Sequence, residues 1–258
     1  MGVSVVVILA ATLVVAVAAG GRPAPPLAAP VQPRYPDLGM APLTDVVIGT
    51  EQSSGRVFLR FSATLINVGA GPLMVAAFRP FPFSDDWSVV QRIDDAIGGY
   101  SERDAAANLV YAGDGHEHWH LAGAEAHQLE TTDGVVVASL VKTGFCFFDN
   151  VRNPQASAGT PPAPVYLAAE CGDRGDREVA MGLSVGWGDE YQWYLLDQTI
   201  EITTIADGRY RLRAIADPAD RFLESDETNN DISVVVDLST TNGARQVDIV
   251  DAAEAGAG

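Results

Sequence analysis

Residues 56–67 read RVFLRFSATLIN, and every second position from Val57 is small or apolar: Val57, Leu59, Phe61, Ala63 and Leu65. Side chains alternate across an extended strand, so this run has one face for a core and one for other contacts. A helix, with its 3.6-residue period, would scatter these residues around its axis. The strand is expected to stop at Val68-Gly69-Ala70-Gly71. Residues 134–141, 199–204, 209–215 and 231–238 alternate in the same way, and Asp207-Gly208 between two of these runs reads as a hairpin turn. Helical periodicity is scarce, with residues 103–109 the best short candidate. Many short strands separated by turn residues predict an all-β fold, an antiparallel β-sandwich with long loops and little helix. Residues 153–164, NPQASAGTPPAP, are expected to form a long loop.

The ends differ from the body. Residues 3–19 are an apolar run interrupted only by Ser4 and Thr12, and Ala16-Val17-Ala18 has the small residues of a cleavage site. This predicts a signal peptide over 1–19, with an uncleaved N-terminal membrane anchor as the alternative. Either places the body outside the cytoplasm, secreted or at the cell surface. Residues 20–36 are rich in Pro and Ala and read as a linker, residues 37–247 as the folded domain, and residues 248–258 as a disordered tail. Two cysteines, Cys146 and Cys171, most simply form one disulfide in an exported chain. The 258 residues carry 34 acidic and 16 basic side chains, a formal net charge of −18. That balance argues against a nucleic-acid groove, which needs clustered cations. It suits a cationic partner such as an amine, or simply solubility.

Three of the four histidines lie in His116-Glu117-His118-Trp119-His120. On a strand, His116, His118 and His120 share one face while Glu117 and Trp119 take the other. Three imidazoles from so short a stretch make a facial metal site with coordination positions left open. Copper, zinc, iron and nickel all suit such ligands, and the affinity order favours copper. The plain alternative is a polar strand with exposed histidines. As a metal site, the triad fits a zinc hydrolase, a cupin-like oxygenase or a copper oxidase. His127 follows seven residues after His120, on the opposite parity. It is either an acid/base or ligand-orienting group after a turn, or a surface histidine. Lys142 is the only lysine and ends an apolar run beside Cys146. There it could act as a general acid/base or Schiff-base amine, or merely be the one lysine in an Arg-biased chain.

In this order along the chain, the sequence resembles the lysyl oxidase family. GHEHWH at 115–120 with His127 beyond it is similar to the family's copper segment, and KTGFCFFD at 142–149 to the segment that carries its cofactor lysine. Tyr191 stands eight residues before Thr199 of QTIEIT, as the family's cofactor tyrosine does, although a different gap would put Trp187 or Tyr194 there. RVFLRF at 56–61, Pro36-Asp37-Leu38 and ESDETNN at 224–230 also resemble family segments, so the likeness runs over roughly 36–240. The resemblance implies a copper amine oxidase with lysine tyrosylquinone. His116, His118 and His120 would hold copper, Lys142 and Tyr191 would form the quinone, and His127, or less favourably Asp189, would be the base. Primary amines, small or on lysine-bearing proteins, would become aldehydes with O2, giving H2O2 and ammonia.

ESDETNN also has a reading of its own. Glu224, Asp226, Asn229 and Asn230 are hard oxygen donors suited to calcium, against the alternative of an Asx-rich turn. The resemblance adds Asp37 and the Leu38 carbonyl to the same ion. Two other functions compete with the oxidase. A noncatalytic extracellular β-sandwich module would use the triad to bind metal and need neither Lys142 nor Tyr191. A zinc-dependent hydrolase would need an acidic base beside the triad.

Overall fold

The alternating run forms one strand, Val57–Asn67, in the computed structural model, with Leu59, Phe61, Ala63 and Leu65 all buried. The structure describes residues 32–112, 117–141, 144–154, 157, 159–195 and 198–252. The expected signal peptide and nearly all of the linker lie outside them. Eighteen strands and one 3-10 turn, Ala168–Cys171, make up the regular structure of the described residues. The first strands are β1 (Pro33–Arg34), β2 (Leu38–Met40), β3 (Thr44–Thr50), β4 (Val57–Asn67), β5 (Leu73–Phe78) and β6 (Ser88–Asp95). Next come β7 (Tyr100–Asp104), β8 (Leu109–Tyr111), β9 (Trp119–Leu121), β10 (Glu125–Thr131), β11 (Val136–Val141) and β12 (Val151–Arg152). The last are β13 (Glu178–Leu183), β14 (Trp187–Tyr191), β15 (Thr199–Glu201), β16 (Gly208–Ala216), β17 (Asp231–Thr241) and β18 (Ala244–Ala252).

Every pairing is antiparallel, and β4 is the hub. β2 and β3 line one of its edges, while β14 and β15 lie end to end along the other. β12 extends this sheet beside β14. A second sheet runs β11-β10-β16-β17-β18, a third β1-β6-β5-β13 with β7 beside β6, and β8 and β9 form a separate ribbon. Leu59 and Phe61 of the hub, Leu129, Leu212 and Val236 of the second sheet, and Val75 and Met181 of the third belong to one apolar core. The fold is the expected all-β sandwich.

Several local expectations change. Pro33 and Arg34 pair with Asp95 and Asp94, so the end of the linker is a strand. The Tyr35 carbonyl accepts from the Ala70 and Gly71 amides, and a Cβ at Gly71 would collide with Arg34. Asp207-Gly208 closes no hairpin: β15 pairs with β4 and β16 with β10 and β17, so the chain passes here between sheets. The tight turn is Asn242-Gly243, with φ of 53° and 78°, between β17 and β18. β18 continues to Ala252, into the segment expected as tail. Residues 103–109 are not helical. They end β7 and begin β8, with Ala106 at φ 47° between buried Ala105 and Leu109.

Candidate active site and metal centre

The ribbon of β8 and β9 carries the histidines, with His120 opposite Val110. His118 and His120 lie on one side with ring centroids 4.7 Å apart, as alternation predicts; His120 is buried and His118 half-buried. Trp119 points the other way. Its indole N–H donates to the Asp173 carbonyl at 2.9 Å, and its ring meets Trp87 at 4.8 Å and the Arg79 guanidinium at 4.5 Å. Arg79 is itself buried and donates to the carbonyls of Asp176, Ser84 and Arg174. His116 and Lys142 lie outside the described residues. Among the described residues no three His, Cys, Asp or Glu side chains form a metal-holding group.

The chain flanking Lys142 is tied to this ribbon. Phe145 and Leu121 exchange both backbone hydrogen bonds, at 2.8 and 2.9 Å. Gly144 lies so close to the Cβ of His120 that a side chain there has no room. Cys146 is joined to Cys171 by the expected disulfide, with Cα atoms 6.0 Å apart. On its other side the Phe145 ring packs on Tyr191, with centroids 4.5 Å apart.

Tyr191 ends β14 opposite Ala63 and is buried. It lines a cavity of about 150 Å³ together with His118, Phe148, Asn150, Asp189 and Leu195. Asp189 is fully buried two residues before Tyr191, on the same strand face. Asn150 Nδ2 donates to Asp189 Oδ1 at 2.5 Å, and Asn150 Oδ1 accepts the Glu190 amide at 2.8 Å, fixing the carboxylate against the strand. The competing aromatics sit elsewhere: Trp187 donates to the Pro161 carbonyl, and Tyr194 is 59% exposed.

His127 is not a surface residue. It is fully buried on β10, its Nε2 lies 2.8 Å from Glu125 Oε1, and its ring meets Phe61 edge-on at 4.7 Å. It is not part of the cavity wall described above. Glu125, Phe145, Asn150 and Arg79 went unnoticed in the sequence. Only Glu125 carried a signal, two residues before His127 on the same strand parity.

The oxygen-rich segment meets the N-terminal entry. Asn229 Nδ2 donates to Asp37 Oδ1 at 2.7 Å, the Leu38 amide donates to Glu224 Oε2, and Asn230 Nδ2 lies 3.3 Å from Glu224 Oε1. The Oδ1 of Asn230 is buried and accepts no hydrogen bond. Burial pushes the Glu224 carboxyl up to about 8. Asp226 instead accepts from the amide and hydroxyl of Thr228, at 2.9 and 2.7 Å. An acceptor without a donor beside a desolvated carboxylate is a donor set that a hard cation would complete.

The lysyl oxidase family profile matches residues 107–246. Lysyl oxidase homolog 2 of Xenopus tropicalis is 30% identical over 118 residues, 45% of this chain and 14% of that protein. Lysyl oxidase homolog 4 of Mus musculus is 29% identical over 176 residues, 68% of this chain and 18% of that protein. Lysyl oxidase homolog 3 of Homo sapiens is 30% identical over 116 residues, 45% and 14% respectively. The chain thus spans less than a fifth of the length of these relatives.

Proposed function

The chain belongs to the lysyl oxidase family, and from that premise we propose that it is a secreted, copper-dependent amine oxidase. It converts primary amines, small or carried on peptidyl lysine, to aldehydes with O2 and releases H2O2 and ammonia. The observation that carries this reading is the Phe145 link. Phe145, three residues past Lys142, is bonded to the histidine ribbon and packed on Tyr191, which shares a cavity with His118.

Copper would be held by His116, His118 and His120. The two described imidazoles lie 4.7 Å apart, His118 on the cavity, and borderline nitrogen donors suit the ion. Lys142 and Tyr191 would form lysine tyrosylquinone. Tyr191 loses two ring C–H bonds, one to a C=O and one to a bond with the Lys142 nitrogen. The balance consumes two O2 and releases one H2O and one H2O2. Once formed, the quinone supplies the electron sink for amine oxidation, while the protein supplies position and proton transfer. Leu195 and Phe148 give the cavity apolar walls against bulk water. Of the two expected bases, Asp189 reaches that cavity and suits acceptance of the amine's α-proton, with Asn150 holding its other oxygen. His127, paired with Glu125 behind Phe61, acts from the core.

Calcium would be held by Asp37, the Leu38 carbonyl, Glu224, Asp226, Asn229 and Asn230. It would tie the entry of the folded domain to the connection between β16 and β17. The net charge of −18 favours a cationic amine over an anionic substrate.

The test is a peptide-mass map of copper-loaded, aerated protein, with and without phenylhydrazine. A cross-link joining the Lys142 and Tyr191 peptides, shifted by the hydrazine, is the expected result. Two unmodified peptides from protein shown to hold copper would overturn it in favour of a metal-binding module.

A further inference from the structure

Gln198 immediately precedes β15. Its side chain is fully buried, and neither its amide oxygen nor its amide nitrogen has a hydrogen-bond partner. Such groups are rare, because burial removes water from both atoms and nothing replaces it. The neighbourhood deepens the anomaly. Thr199 pairs with Arg60 and Tyr191 with Ala63 along the same edge of β4. Continuing the β15 register by one residue sets Gln198 beside Phe61. That is the same sheet face as Tyr191, one same-face step along β4, or about 7 Å. Phe61, Ala63, Tyr191 and Ile200 on this face are all buried.

The facing sheet supplies a second open group. His127 meets Phe61 edge-on, its Nε2 is engaged by Glu125, and its Nδ1 has no hydrogen-bond partner. Ala214 lies opposite His127, Ala63 opposite Tyr191 and Ile200 opposite Leu59; the two alanines, Ile200 and Leu59 are buried and carry no polar side-chain atom. An amide with a donor and an acceptor, and an imidazole nitrogen, therefore flank Phe61 beside Tyr191. The unmodified protein leaves all three unsatisfied.

We propose that Gln198 holds the cofactor derived from Tyr191: its amide N–H donates to the oxygen that the tyrosine ring gains on oxidation, while His127 stays behind Phe61. The inference rests on the amine oxidase reading. It explains why the fold keeps a buried amide without partners, since the partner is made after folding by chemistry on the neighbouring residue. It also makes the sign of a substitution depend on maturation. Before oxidation Gln198 is a liability, and a leucine of similar reach removes it. After oxidation Gln198 carries a hydrogen bond that leucine cannot make.

The experiment compares wild type with Gln198→Leu, each as full-length protein, copper-free and after copper loading in air. Copper-free Gln198→Leu is expected to melt at or above wild type. After loading, its fraction of cross-linked Lys142–Tyr191 peptide is expected to fall about tenfold. The visible absorption of whatever cofactor does form should also shift. If Gln198→Leu does not fold, Gln198→Met serves in its place. A cross-linked wild type with an indistinguishable variant in yield and spectrum overturns this inference alone. So does a copper-free variant that folds but melts well below wild type, which would mean that the fold itself satisfies Gln198. A copper-loaded wild type with no cross-link overturns the amine oxidase reading and this inference with it.

Discussion

Phe145 lies against Tyr191 with ring centroids 4.5 Å apart and planes inclined by 34°, while its backbone is paired with Leu121 one residue beyond His120. One side chain and one peptide unit thereby join three stretches far apart in sequence: the histidine ribbon, the segment after Lys142, and β14. Replacing Phe145 by Ala removes the ring and keeps the backbone pairing. Urea unfolding should show a loss of about 3–5 kcal/mol, as for other fully buried phenylalanines. The yield of Lys142–Tyr191 cross-link should fall as well, while copper content stays near wild type.

Copper retention should depend on His118 and turnover on Lys142. His118→Ala is expected to bind well under the wild-type equivalent of copper by elemental analysis. Lys142→Arg should keep its copper and its melting temperature but lose all amine-dependent H2O2 production. Full occupancy in the first variant, or turnover in the second, would remove that residue's role.

The Cys146–Cys171 bridge closes a sequence separation of 25 residues. In the chain-entropy model such a loop is worth roughly 3.5 kcal/mol, an upper figure for the double Cys→Ser variant. Cys146 neighbours Phe145, so the reduced protein should also form less cross-link at temperatures where it remains folded.

Arg79 should matter to the metal without touching it. Its guanidinium donates to three carbonyls and packs against the touching rings of Trp87 and Trp119, at 4.7 and 4.5 Å. Arg79→Ala leaves those carbonyls without their donor and frees Trp119, which separates His118 from His120. A stability loss of about 3 kcal/mol is expected, together with weaker copper retention against a chelator.

Tyr166 supplies a pH signature. Burial, reinforced by Asp94 and Asp149, raises its phenol from 10.0 to about 12. Its folded pKa lies above its unfolded one, so the associated stability is present below pH 10 and is lost as pH rises towards 12. Wild type should lose stability across that window, and Tyr166→Phe should lose less. Tyrosinate absorbance would follow the ionisation directly.

The sandwich was legible because alternation is local: β4, β11, β16 and β17 can each be read from their own residues. Asp207-Gly208 misled because a turn dipeptide does not say which partner each flanking strand has; β15 finds β4, far back in the chain. Asn242-Gly243 carried the stronger turn signal and does close a hairpin. Among site residues, the shared side of His118 and His120 follows from period two. Tyr191's neighbours do not, because Phe145 and Asn150 reach it through pairings set by the finished sheets. Gln198 was invisible for the same reason. Nothing in its own sequence neighbourhood says that it is buried without partners.

β4 has consequences for the order of events as well as for architecture. Its first edge is filled by strands that precede it, but its second waits for β14 and β15, which leave the ribosome much later. Contacts so distant in sequence make folding slow. Tyr191 takes its place against Phe145 and the histidine ribbon once β14 has joined β4. On the proposed amine oxidase reading, processing of Tyr191 would therefore follow completion of the fold, and a nascent chain with copper on its histidines would have nothing yet to oxidise.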